Sequence, residues 1–112
     1  MINYHNKKFR LKRTSNNAET DIETVFIYKQ EGNIVTSTYE GNQIIKGHLL
    51  GLVNENGVIE MRYHQINSNG KLMTGVCKST PETLANGKIR LHEIWQWTCG
   101  NQSKGNSILE EI

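Results

Sequence analysis

From Val25 onward, Gly- and Asn-containing tetrapeptides interrupt this chain about every ten residues. Gln30-Glu31-Gly32-Asn33, Glu40-Gly41-Asn42-Gln43, Asn54-Glu55-Asn56-Gly57, Asn67-Ser68-Asn69-Gly70 and Ala85-Asn86-Gly87-Lys88 mark the rhythm. Asn and Gly tolerate the positive φ that tight hairpin turns demand. Between these breaks, apolar and polar residues alternate with the period of a strand. Repeated hairpins at this spacing predict an antiparallel meander, in which neighbours in sequence are neighbours in space.

The strands follow from the spaces between turns. Residues 1–13 offer Ile2, Tyr4, Phe9 and Leu11 as anchors of a first strand, and 14–21 are polar and read as a mobile loop. Ile22–Lys29, Asn33–Tyr39, Gln43–Val53, Val58–Ile66, Lys71–Lys78, Lys88–Thr98 and Asn106–Glu111 complete a set of about eight. The helical signal lies at Thr80-Pro81-Glu82, where a cap, a proline and an acid could start one turn before Gly87. Eight strands suffice to close a small sheet whose lumen is filled or holds one small ligand. Closure also removes exposed edges, so the fold class is all-β: a single domain, residues 1–112, whose antiparallel meander closes into a small barrel. One proline in 112 residues suits a many-stranded sheet, because proline cannot donate to a ladder.

Thirteen basic and eleven acidic residues leave a net charge of +2. The one basic run, Lys7–Arg13, reads as a solubilising edge strand, and without a second basic cluster no nucleic-acid partner is expected. No apolar run is long enough for a membrane span and no signal peptide is read, so the expected localisation is cytoplasmic, with Cys77 and Cys99 as free thiols. The four histidines have no ligand spacing, so neither metal nor cofactor is expected. No Gly-rich loop joins a strand to a helix, as a phosphate site would need. Cys77 and His92 could lie diagonally on one face as a thiolate dyad, though a half-buried Cys77 is the plainer reading.

Simple hairpin registers assign the faces. Pairing Val53 with Val58 sets Leu49 against Arg62. A two-residue turn at Ser68-Asn69 sets His64 near Thr74 and Arg62 near Val76. Pairing Lys78 with Ile89 sets Thr74 near Glu93 and Leu72 near Trp95. One face then collects Ile45, Leu49, Val53, Val58, Ile66, Leu72, Val76, Ile89, Leu91, Trp95 and Trp97. As the more apolar face, and the one with both tryptophans, it is assigned to the lumen. Ile59, Met61, Tyr63, Met73, Cys77 and Ile94 fall outside, mixed with Gln65, Lys71, Arg90, His92 and Gln96. The inward face also carries Glu60, Arg62, His64, Thr74 and Glu93, and with Trp95 and Trp97 these are the candidate ligand-binding residues. Apolar walls, two indoles and a few convergent polar groups are what a small-molecule pocket requires. The same cluster could instead be a structural Arg62–Glu93 salt bridge that plugs the barrel.

Five segments carry a family resemblance: Phe26–Asn33, Ile45–Gly51, Met61–Gln65, Gly75–Glu82 and Arg90–Trp97. Together, from about residue 20 onward, they resemble a family of short bacterial proteins labelled N-acetylglutamate synthase. That resemblance implies an acyltransferase but no catalytic residue that can be carried over. At the level of fold, the meander resembles the calycin type of barrel, which includes lipocalins and fatty-acid-binding proteins. The residues favour a non-enzymatic barrel with a small-molecule ligand in its lumen as partner. The acyltransferase and a structural module with a filled lumen remain the alternatives.

Overall fold

A computed structural model describes residues 2–112. Eight strands run in order: β1 (Lys8–Thr14), β2 (Val25–Glu31), β3 (Ile34–Glu40), β4 (Ile44–Val53), β5 (Ile59–Asn67), β6 (Leu72–Thr83), β7 (Ile89–Trp97) and β8 (Lys104–Glu111). Each pairs antiparallel with the next, and β8 returns to β1, so the all-β meander closes into a barrel. Closure leaves no edge at β1, which pairs with both β2 and β8. The basic run is therefore not an edge guard. One of its charges, Lys7, reaches Glu111 at 3.3 Å.

Three hairpins use one loop form. In Asn54–Val58, Asn67–Lys71 and Leu84–Lys88, the first N–H donates to the fifth carbonyl and the glycine N–H donates back to the first carbonyl. Gly57, Gly70 and Gly87 take φ of 80°, 79° and 84°. These are three-residue loops with glycine in the left-handed region, not the two-residue turns expected at Ser68-Asn69. Asn54 and Asn67 reinforce them, each Oδ1 accepting two backbone N–H groups of its own loop at 2.9–3.0 Å. The chain thus has a loop code, Asn-x-x-Gly, that fixes register.

The helical turn expected over Thr80–Leu84 does not form, because β6 continues to Thr83. The β5 ladder stops at Ile59↔Ser79, while Thr80–Thr83 pair only with β7. Pro81 therefore lies where β6 has one free side, and its missing N–H costs no ladder bond.

One end of the barrel is closed by the segment before β1. Tyr4 is fully buried against Phe9 and Tyr28, and its hydroxyl donates to the Gly57 carbonyl at 2.5 Å. Towards the other end, aromatic rings face glycines across the ladder: Tyr39↔Gly47, Tyr63↔Gly75 and Trp95↔Gly105. A Cβ on any of the three glycines would run into the facing ring. Glycine lets each ring lie against the wall rather than across the lumen.

Candidate functional site

Two registers differ from the simple pairing. Val53 pairs with Ile59 rather than Val58, a displacement of one residue. Lys78 pairs with Ile94 rather than Ile89, a displacement of five. The β5–β6 register matches the expected one, with Arg62↔Val76 and His64↔Thr74. Both displacements are odd, and side chains alternate with period two. β5 and β6 therefore present the opposite face to the one assigned, while β7 keeps its own.

This moves four of the seven candidate ligand-binding residues. Glu60, Arg62 and His64 are exposed on the outer face. His64 stacks there on His48, with ring centroids 5.4 Å apart. Thr74 is also on the outside, its hydroxyl 2.8 Å from that of Thr98. The structure brings Glu93, Trp95 and Trp97 together in the lumen. Arg62 and Glu93 lie on opposite faces and form no pair. Among the apolar residues assigned inward, Ile45, Ile66 and Leu72 are exposed and Val58 and Val76 are only partly covered. A bulge between Ile44 and Lys46 turns Ile44 inward in place of Ile45. In their stead Ile59, Met61, Tyr63, Gln65, Met73 and Cys77 face in. Cys77 inside and His92 outside cannot make a dyad. His92 Nε2 instead lies 2.8 Å from Glu82 Oε1.

The lumen holds a cavity of about 60 Å³ towards the end crossed by the β1–β2 loop. Phe26, Tyr39, Leu49, Met61, Trp95 and Trp97 wall it, and Tyr63, Gln65, Cys77, Glu93 and Ser107 add polar atoms. The indoles meet edge to face, centroids 5.7 Å apart, and Tyr63 meets Trp97 in the same way at 5.6 Å. Both N–H groups are committed: Trp95 Nε1 donates to Ser107 Oγ at 2.9 Å and Trp97 Nε1 to the Asn17 carbonyl at 3.0 Å. The rings are thereby fixed as walls.

Glu93 places a carboxyl group within the barrel. Ser79 Oγ donates to its Oε2. No ion pair among the described residues includes it. The side chain is half-buried and lines the cavity. Burial raises its pKa from 4.5 to about 7, against the downward pull of hydrogen bonds from Ser79 and Cys77. The groups around it stay neutral. Burial, then the nearby Glu93, pushes the Cys77 thiol well up. Burial likewise raises the Tyr28, Tyr39 and Tyr63 hydroxyls. The Tyr28 hydroxyl is buried without a partner among the described residues. Cys99 is half-buried and bonds through Sγ to the Thr74 backbone.

Across the mouth lies the β1–β2 loop, contributing Ala18, Glu19 and Thr20 to the cavity wall. Gln65 Nε2 and Asn67 Nδ2 each donate to one carboxylate oxygen of Glu19 at 2.8 Å. Gln65 Oε1 in turn accepts the Tyr39 hydroxyl at 2.8 Å. Gln65 and Glu19 were missed from sequence, since the first fell on the misassigned face and the second in a polar loop. Among the described residues, no three His, Cys, Asp or Glu side chains are grouped as a metal ion would need. Nor, among the described residues, does a strand lead into a helix N-terminus that could hold a phosphate.

No curated protein matches the chain, so neither comparison returns an N-acetylglutamate synthase. The family model described as Avidin-like protein matches residues 2–112. The match spans every strand of the closed eight-stranded meander, and the chain belongs to the avidin-like family.

Proposed function

We propose that this chain is a non-enzymatic binding protein whose small-molecule ligand occupies the mouth-side half of the lumen. The carrying observation is the cavity itself: aromatic walls around a carboxyl group, Glu93, that has no ion-pair partner among the described residues. Apolar walls with few convergent polar groups are the pattern of a small-molecule site. An acid kept in such a place costs stability, and an N–H or cationic group on a ligand would offset that cost. The family relationship supports the same reading.

The cavity of about 60 Å³ is well below the roughly 300 Å³ at which ordinary ligand pockets begin. Binding therefore requires the β1–β2 loop, with Ala18, Glu19 and Thr20, to move out of the mouth. Trp97, bonded to that loop through Asn17, reports the movement. Titration with biotin and with a library of small heteroaromatic compounds, followed by tryptophan emission, should give a saturable change. A Cys77→Phe variant, which fills the cavity, should lose the response and still unfold cooperatively. Absence of a saturable response from every compound overturns the proposal. The acyltransferase reading rests on the five family-like segments alone. Release of coenzyme A from acetyl-CoA in the presence of glutamate would favour it instead.

A further inference from the structure

The β1–β2 loop places a carboxylate in a prepared site. Gln65 and Asn67 are buried, at 3% and 6% exposure, and both aim an amide NH2 at Glu19. Each amide oxygen has a partner of its own within the protein. The Gln65 oxygen is held by the Tyr39 hydroxyl from within the lumen. The Asn67 oxygen is held by the N–H groups of Asn69 and Lys71 in the Asn-x-x-Gly loop. With its oxygen committed to two backbone donors, the Asn67 NH2 must face the mouth, whatever stands there, and the Gln65 NH2 lies beside it. Two buried donors, one for each oxygen, form a carboxylate receptor, and hydrogen bonds to a charged acceptor are the stronger kind. Without an acceptor the donors would be buried and unpaired.

We propose that Glu19 is an internal stand-in, and that the ligand carries a carboxylate that displaces it from Gln65 and Asn67 as the loop leaves the mouth. The inference rests on the lumen-binding reading above and adds the ligand's chemical class: a carboxylic acid with an apolar body sized for the aromatic walls. Glu19 keeps the donors satisfied and the mouth closed until such an acid arrives.

Glu19→Ala vacates the receptor. The probes are 3-phenylpropanoate and its primary amide, matched in shape and differing in charge. Titrations are followed by tryptophan emission and by the Trp97 indole N–H resonance. The acid should bind Glu19→Ala about tenfold or more tightly than it binds the wild type, and should beat the amide by a similar factor. Adding Gln65→Glu keeps an acceptor for the Tyr39 hydroxyl but turns the donor into a repelling oxygen, and should abolish the preference for acid. Should that double variant not fold, the acid-to-amide ratio in Glu19→Ala alone still decides. Equal binding of acid and amide overturns the carboxylate site and leaves the lumen reading standing. Equal binding of the acid to wild type and Glu19→Ala overturns the stand-in role. If neither probe binds Glu19→Ala, the carboxylate site falls, while the library titration of the wild type judges the lumen reading separately.

Discussion

Replacing Glu93 by Gln should raise stability in a pH-dependent way. The folded protein holds the Glu93 proton more tightly than the unfolded chain, with a pKa of about 7 against 4.5. Linkage then fixes the sign. Between these values the native state binds more protons than the unfolded state, so stability falls as pH rises. The favourable contribution is complete below 4.5 and is lost as pH passes through about 7. The gap corresponds to about 3 kcal/mol, an upper end because water in the cavity can solvate the open oxygen. Glu93→Gln keeps the shape and an oxygen for the Ser79 hydroxyl, and never ionises. Wild type and variant should have similar stability at about pH 4, and the variant should gain up to about 3 kcal/mol by about pH 8. Glu82, whose carboxyl is held low by the His92 hydrogen bond, slopes the other way but equally in both proteins, so it cancels. Urea titrations across this range, read as the difference at each pH, measure the effect. A difference that does not change with pH would refute a buried, unpaired Glu93.

Tyr28→Phe removes a buried hydroxyl that has no partner among the described residues; stability should be unchanged or rise by up to about 1 kcal/mol, and a clear loss in urea titration would mean that the hydroxyl is bonded. Gly70→Ala meets no atom within 4 Å, so its cost is the backbone at φ 79° alone, about 1–2 kcal/mol, and Gly70→Asn should cost less. Gly47→Ala drives a methyl into the Tyr39 ring, which should cost about 1–3 kcal/mol and change the near-ultraviolet circular dichroism, whereas Gly70→Ala should leave that spectrum alone.

The strand count and closure were legible because turn chemistry is local. Asn and Gly at regular spacing mean hairpins, and hairpins in series mean a meander. Register was legible only in part. Asn54-Glu55-Asn56-Gly57 and Asn67-Ser68-Asn69-Gly70 are the same loop, and Ala85-Asn86-Gly87 ends another of that form. Reading the glycine as the last loop residue, rather than placing two residues at the tip, gives Asn54 opposite Val58 and Leu84 opposite Lys88. Those two pairs correct both odd displacements. Apolarity could not arbitrate, because the outer face is itself rich in exposed Ile34, Ile45, Leu50, Leu52, Ile66, Leu72 and Ile94. The glycines bear on other ladders: Gly47, Gly75 and Gly105 each stand opposite an aromatic residue across β3–β4, β5–β6 and β7–β8, and leave the two displaced registers to the loops.

Glu93, Trp95 and Trp97 were found because β7 carries its own evidence: two indoles on one face of one strand. Glu60, Arg62, His64 and Thr74 inherited their place through neighbouring hairpins, and one slip at each end of β5–β6 moved them all outside together. Glu19 had no local signal at all. It sits in a polar run with no period, and its partners Gln65 and Asn67 lie 46 and 48 residues away. Yet one half of that contact is written locally. Asn67 opens an Asn-x-x-Gly loop that fixes its oxygen on the backbone, so its NH2 must point elsewhere. Asn54 opens the same loop at the opposite end of the barrel but is exposed, and its NH2 can turn to water. Asn67 is buried, and a buried NH2 needs an acceptor. The sequence thus poses the question that Glu19 answers, and the long-range fold alone decides that the answer is a carboxylate.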